Sequence, residues 1–366
     1  METESKNSLL LSVLINLIVC LLISTSIPSL LVEPLMRDGS IITGTRYTIT
    51  KDALNTISED NSVSVIAIGS SQMFKALDGK CVGENMENTA LVYNIALPSS
   101  RAYTDMPHIP RIVSTNPEIV LIEIAPNLLA NTSESAKEYV EMRFKLDTMN
   151  QENLDLGGWV DIIDSEHRNW VALNEIERME FKREYFPAAI EERLSRLLLE
   201  ESNAKEKWSY GWIPQTNSEF WNDYLQTPIF PSDNYGFDGK TKEEREIYNE
   251  TQMKKTGSYN PSYSNSQAHA ALDYEISTLL ENDIRVILVS PPHHPSALSY
   301  VTEGKWDGLN ETLSRYQLWN GVTIFDQTWE SGWVDDHFYD RNHLDDEGRV
   351  EFCNRLAPVI DVILSP

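Results

Sequence analysis

Val63-Ser-Val-Ile-Ala-Ile-Gly69-Ser70-Ser71 is the stretch on which the fold turns. Its apolar residues run on almost without alternation and stop at a glycine and two serines. A strand buried on both faces of a parallel sheet has this form. Four later runs share it: Leu91–Ala96, Ile119–Ile124, Arg285–Ser290 and Val322–Phe325, each short and rich in Val, Ile or Leu. With Val63–Ile68 they make the predicted strands. Helical stretches lie between them, among them Arg101–Ser114, Ser266–Glu281 and Asp345–Leu364. Strands alternating with helices predict a parallel sheet covered on both sides. Ligands of such sheets bind beyond the carboxyl ends of the strands. Ser71, Ala96 and Asn127 each fall just past a predicted strand end, which makes that edge the expected address of a site.

From about residue 132 to 262 the rhythm stops. This stretch is polar, holds helical segments such as Ala188–Glu201, and carries Trp159, Trp170, Trp208, Trp212 and Trp221. It reads as a mainly helical insertion between the third and fourth strands. Tryptophans beside a site can stack on sugar rings, although packing is the commoner duty of any one of them.

At the other end, residues 1–7 form a short tail and Ser8 to Val32 carries no charge at all. A helix needs about 20 mostly apolar residues to span the hydrocarbon core, so 8–32 is long enough. The tail sets Lys6 against Glu2 and Glu4, which is a poor n-region for a signal peptide, and an uncleaved transmembrane anchor is the favoured reading. Pro28 ends or kinks that helix. The flanking Lys6, Arg37 and Arg46 do not choose an orientation by the positive-inside rule. Long domains translocate largely regardless of charge, so a single-pass protein with its bulk outside the cytoplasm is expected. Residues 33–61 read as a polar connection with one short helical possibility, and 62–366 as the folded domain.

The chain has 366 residues, enough for a sizeable core, and 41% of them are hydrophobic, as in an ordinary globular protein. Its net charge of -26 would repel phosphates and argues against a nucleic-acid partner. Of three cysteines, Cys20 sits in the apolar segment, while Cys81 and Cys353 follow the Ser71 and His343 segments. If those segments meet, the two thiols are candidates for a bridge outside the cytoplasm. Sequons at Asn131, Asn249 and Asn310 permit glycosylation.

The chemistry-bearing pattern pairs Gly69-Ser70-Ser71 with Asp340-Arg-Asn-His343. Serine is a weak nucleophile at neutral pH and needs a neutral imidazole to take its proton. The imidazole needs a partner that fixes its tautomer and stabilises the imidazolium. Asp340 and His343 are three apart, so one turn of backbone brings both side chains to the same side. Taken singly, Ser71 also suits the N-cap of the helix that follows, and Asn127 suits a turn. His343 lies among Asp335, Asp336, Asp340, Asp345 and Asp346, with His337 nearby. That cluster lacks a compact His-x-x-x-His or cysteine pattern, and no metal is assigned to it. Pro291-Pro-His293-His294 follows the fourth strand and is placed to touch substrate, but a loop histidine is more often only exposed.

The ordered set Gly69-Ser70-Ser71, Asn94-Ile-Ala96, Ala125-Pro-Asn127 and Asp340-Arg-Asn-His343 resembles the SGNH hydrolases, also called the GDSL family. The segment Pro117–Asn127 looks like that family's strand running into Gly-x-Asn, and Asp340-x-x-His343 has the spacing of its last block. Behind an apolar N-terminus, the Gly-Ser-Ser form is similar to membrane-anchored members that acylate surface polymers. Those include the teichoic-acid D-alanine transfer proteins and the alginate O-acetyltransferase relatives.

The resemblance implies a three-layer α/β/α flavodoxin-like fold and no cofactor. It implies Ser71 as nucleophile, His343 as general base and then acid, and Asp340 as its orienting carboxylate. The oxyanion hole would be the backbone N–H groups of Ser71 and Ala96 with the side chain of Asn127. Ser70 replaces the name-giving Asp, Ala96 and Ala125 replace glycines, and Leu128 replaces an Asp. A positive φ at Ala96 would be strained and would alter the hole. The expected activity is an extracytoplasmic serine esterase or O-acyltransferase acting on an acyl ester or acylated glycan, with a membrane acyl-donor partner as one possibility. The alternative is a catalytically inactive protein of the same fold that binds polysaccharide.

Overall fold

In the computed structural model all five apolar runs form strands. The described residues are 11–20, 64–97, 100–129, 175–198, 240–255, 267–301 and 306–365, with the single positions 27, 30–32, 35, 54, 57 and 226. The chain passes through β1 (Ser64–Ile68), α1 (Ser71–Ala76), α2 (Gly79–Glu84), β2 (Leu91–Asn94), α3 (Ala102–Asp105), a 3-10 turn (Met106–His108), α4 (Ile109–Thr115), β3 (Ile119–Glu123) and α5 (Pro126–Leu129). The insertion contributes α6 (Glu175–Glu184), α7 (Phe186–Leu198) and α8 (Lys242–Lys255). Then come α9 (Gln267–Glu281), β4 (Arg285–Ser290), α10 (Pro295–Leu298), α11 (Asp307–Tyr316), β5 (Val322–Asp326) and α12 (Asp346–Leu364).

Among the described residues the strands form one parallel sheet in the order β2-β1-β3-β4-β5. That is the order of flavodoxin-type doubly wound sheets, whose switch point lies between β1 and β3. The lack of alternation in each run has a direct cause, since both faces of the sheet are covered. Val65 and Ala67 of β1 face a core with Met73, Phe74, Val82, Phe352 and Leu356 from α1, α2 and α12. Ile66 and Ile68 face the opposite core, with Ile112, Leu272, Ile276, Leu309 and Leu313 from α4, α9 and α11. The result is three layers. Each fully buried Val, Leu or Ile contributes about 1.5–3 kcal/mol relative to exposure.

The predicted helix at Arg101–Ser114 is instead broken into α3, a 3-10 turn and α4. Pro107 and Pro110 occupy the first turns of the second and third pieces. Proline lacks the N–H that would continue the preceding turn, so each one restarts the chain rather than extending it. The helix predicted at Ala188–Glu201 starts earlier, at Phe186, and its last residues lie outside the described part.

Residues 11–20 of the expected anchor are helical and their apolar side chains are exposed. Much of 8–32 lies outside the described residues, and among those described no helix is long and apolar enough to cross a membrane. Two residues of the stretch 33–61 pack with the sheet's core. Leu54 and Ile57 belong to the buried core on the α9 side, so the preceding connection supplies part of the domain. Two apolar residues three apart on a helical turn share one face, which is what allows both to insert. Trp159, Trp170, Trp208, Trp212, Trp221 and the Asn131 sequon lie outside the described residues.

Cys81 on α2 and Cys353 on α12 form a disulfide across 272 residues. It joins the helix after the Ser71 turn to the helix after the His343 loop.

Candidate active site

The strands end level with one another, as the register pairs Ile68 with Ile122, Glu123 with Val289 and Ser290 with Asp326. The residues just beyond them therefore gather at one edge. Gly69 makes the turn out of β1 with φ of 146°, a region open to glycine. Space forbids a side chain there as well, because a Cβ would lie 2.4 Å from Glu123 Cβ. Ser70, not Ser71, is the N-cap of α1, and its hydroxyl accepts from Gln72 N–H at 3.2 Å. With the cap taken by Ser70, the Ser71 side chain is released for other work.

Ser71 Oγ lies 2.8 Å from His343 Nε2, and His343 Nδ1 lies 2.8 Å from Asp340 Oδ2. Asp340 Oδ1 accepts the N–H groups of Asn342 at 3.0 Å and His343 at 2.9 Å. An ionised carboxylate only accepts, so Nδ1 carries the proton shared with Asp340, and Nε2 offers its lone pair to the Ser71 hydroxyl. The two ends of the chain thus meet as a serine, base and carboxylate in hydrogen-bond series. His343 and Asp340 keep side-chain exposures of 23% and 18%, so a substrate can reach them.

The loop bearing His343 is pinned on both sides. Phe338 bridges Leu344 in antiparallel fashion, both side chains being buried, and Tyr339 N–H donates to the His343 carbonyl. Lys75, one helical turn beyond Ser71, places Nζ over the Tyr339 ring at 4.3 Å. Burial, and next the charge of Arg349, bring its pKa down to about 8. Asp345 caps α12 by accepting Gly348 N–H at 2.9 Å. Gly348 has no room for a side chain, since a Cβ would meet the His337 carbonyl at 2.2 Å.

Burial alone would raise the pKa of Asp340. The His343 charge and the three hydrogen bonds from His343 and Asn342 overcome that effect and hold it at about 2. A carboxylate with a depressed folded-state pKa stabilises the fold above its unfolded value, and loses that contribution as pH falls through the folded value. From 3.8 to about 2 this is about 2 kcal/mol. Acid titration of the fold should show this loss between about pH 4 and pH 2, and Asp340→Asn should lack it; superimposable acid-unfolding curves would contradict the assignment.

Of the three predicted partners in anion stabilisation, Ala96 differs from expectation. Ala96 does not have a positive φ, so the foreseen strain is absent. Its N–H donates to Asn94 Oδ1 at 3.2 Å, and the residue is 1% exposed, so this donor is engaged within the protein. Asn94 in turn donates to the carbonyls of Met73, Phe74 and Leu77, at 3.2, 3.2 and 2.9 Å, closing the C-terminal end of α1. Asn127 sits in α5, beyond β3, but its side chain lies outside the described part. The N–H groups of Gln72 and Met73 are held by Ser70 Oγ and Glu123 Oε2. The Ser71 N–H is engaged by neither of these acceptors.

Sequence reasoning missed several groups at this edge. Glu123 is 5% exposed and lies beneath the Ser71 turn, and its one sequence signal is an acid interrupting an apolar run. His293 and His294 are buried, at 6% and 1% exposure, where exposed loop residues were expected. His293 packs on Trp306 with ring centroids 4.9 Å apart. Burial and the Arg341 charge push its pKa down to about 4, which leaves it neutral at ordinary pH. His294 N–H donates to the Arg341 carbonyl at 2.8 Å. Its Nδ1 accepts from Ser296 N–H at 3.1 Å and meets Asn249 Nδ2 at 3.3 Å.

Asn249 comes from α8, so the returning arm of the insertion packs directly on α10 and the turn after β4. Tyr248 beside it has its pKa raised by burial and then by the Asp340 charge. Asn249 is fully buried and donates to Ser296 Oγ at 2.7 Å, which leaves no room for a glycan on that sequon in the folded state. Asn310 is exposed on α11. His337 packs edge-on against Trp333, with centroids 5.6 Å apart.

No family model and no curated protein matches this chain.

Proposed function

We propose that this protein is a serine esterase or O-acyltransferase that works through an acyl-enzyme on Ser71. The observation that carries the reading is the continuous hydrogen-bonded series Ser71, His343, Asp340 at the carboxyl edge of a parallel sheet. In this mechanism Ser71 Oγ attacks the ester carbonyl while its proton passes to His343 Nε2. The tetrahedral intermediate collapses, the carbon–oxygen bond to the alcohol breaks, and His343 returns the proton to that alcohol. A water or a sugar hydroxyl then attacks the acyl-serine by the same proton path in reverse. Asp340 holds the imidazole in the tautomer this requires and stabilises the imidazolium. Donors aimed at the developing oxyanion contribute about 2.7–4 kcal/mol each in comparable sites. Ser71 N–H and the Asn127 side chain are assigned that duty.

The order of the four blocks supports a place among SGNH-type hydrolases, similar to anchored members that modify surface polymers. The substrate class is then an acyl ester or acylated glycan, with an acyl donor in the membrane as a partner. The uncharged segment 8–32 and the disulfide between Cys81 and Cys353 support a site outside the cytoplasm, where thiols are oxidised.

One observation favours a second reading, a polysaccharide-binding protein without turnover. The Ala96 N–H is committed to Asn94, which removes one expected donor from the hole. A fluorophosphonate probe separates the two readings. The proposed enzyme labels at Ser71 at a rate well above free serine, and both Ser71→Ala and His343→Ala abolish the label. A folded protein that never labels and hydrolyses no aryl ester belongs to the second reading.

A further inference from the structure

We propose that Glu123 is a positioning residue for the nucleophile, holding the Ser70–Met73 turn so that Ser71 Oγ meets His343. This rests on the reading of Ser71 given above. Three donors converge on the one carboxylate. Ser70 N–H donates to Oε2 at 2.5 Å, Met73 N–H to Oε2 at 3.1 Å, and the Ser70 hydroxyl to Oε1 at 2.8 Å. These groups flank Ser71 on both sides in sequence, so the carboxylate grips the turn before and after the nucleophile.

The sheet has no need of an acid at this place. Glu123 ends a strand whose other residues are apolar and buried, and burying a carboxylate costs free energy unless it is fully bonded. Gly69 is the complementary half of the device. Its missing side chain is what lets Glu123 reach the turn, since a Cβ there would lie 2.6 Å from Oε2. A glycine just past β1 and an acid on the neighbouring strand are thus one arrangement read from two places in the sequence. An acceptor-only group suits these donors best. Glutamine can keep its oxygen on the two N–H groups only if the Ser70 hydroxyl reverses to accept its NH2 while still holding the Gln72 N–H, and the charge-assisted bonds that grip the turn are lost.

Three converging donors favour the ionised form of this carboxylate. Burial raises its pKa, while the Ser70 and Met73 bonds and the His343 charge act in the opposite direction. The titratable groups that face His343 are Asp340 in its own loop, His293 after β4 and Glu123 itself. Ionised Glu123 therefore favours the imidazolium that forms as Ser71 attacks.

The test is the rate of fluorophosphonate labelling across pH for the parent, Glu123→Gln and Ser70→Ala, each checked for folding by circular dichroism. Displacing a nucleophile by a fraction of an ångström to one ångström costs on the order of tenfold to a hundredfold in rate. Glu123→Gln is expected to lose that much at its plateau. The acid limb of its profile should also move to lower pH by about half a unit, because a facing negative charge is gone. Ser70→Ala removes one of the three bonds and keeps the charge, so its plateau falls several-fold and its acid limb stays in place. If Glu123→Gln fails to fold, Ser70→Ala decides alone, and a parental rate in that variant overturns the proposal. Parental rates in both overturn it too, as does a slower Glu123→Gln with an unmoved acid limb, which would mark a purely structural acid. A parent that folds and does not label would fail the Ser71 reading itself, a result separate from any of these.

Discussion

Alanine at Ser71 or at His343 is expected to lower ester turnover by about ten-thousandfold to a millionfold, with the double substitution little worse than either single one. The two groups act as a unit, since Ser71 is a useful nucleophile only while His343 Nε2 takes its proton across 2.8 Å. Asp340→Asn is expected to cost about ten-thousandfold for a different reason. Oδ1 of Asp340 accepts two backbone N–H groups, and only the oxygen of an asparagine can replace it there. The amide NH2 is then forced toward His343 Nδ1. That places the ring proton on Nε2, where it faces Ser71 and cannot accept. Steady-state kinetics on an activated aryl ester measure all four proteins. Near-parental turnover in Asp340→Asn would remove the base assignment, and in Ser71→Ala the nucleophile.

Breaking the disulfide is expected to cost about 2–5 kcal/mol of stability. The bridge spans 272 residues, so opening it releases nearly the whole described domain from a constraint on its unfolded ensemble. Part of the effect lies in the native state, because α12 packs its Phe352, Leu356 and Ile360 into the same core as Val82 of α2. Asn85 Nδ2 lies 3.4 Å from Cys353 Sγ and ties the end of α2 to the bridge. Urea unfolding of the parent with and without a reductant, and of Cys81→Ser with Cys353→Ser, measures this cost. Equal midpoints in all three would mean that helix packing alone holds the two segments together. Because Ser71 and His343 each lie shortly before one of these cysteines, the reduced protein should also lose activity before it loses its sheet.

Those two results depend on contacts that differ in how visible they were in the sequence. The strands were legible because burial on both faces leaves an uninterrupted apolar run, as in Ile119–Ile122. The Asp340–His343 pair was legible because three-residue spacing is local. The helix expected at 101–114 is broken at Pro107 and Pro110, whose missing N–H groups restart the chain. Ala96 could not be judged from its own residue type. What decides its N–H is the side chain of Asn94, two positions earlier and turned back along the strand. Glu123 gave only the faint signal of one acid in an apolar run, since its partners lie 50 and 53 residues away. His293 and His294 read as loop residues because α10 and the returning α8 cover them, and no local pattern announces that cover.

Two serines side by side invite the thought that one is spare. Ser70 is 3% exposed, and its hydroxyl is occupied by Glu123 and by the Gln72 N–H. With both partners taken, it holds up the floor on which its neighbour stands. On the proposed reading a change at Ser71 leaves no neighbouring hydroxyl to take over, so a single substitution would end the chemistry and leave the scaffold standing.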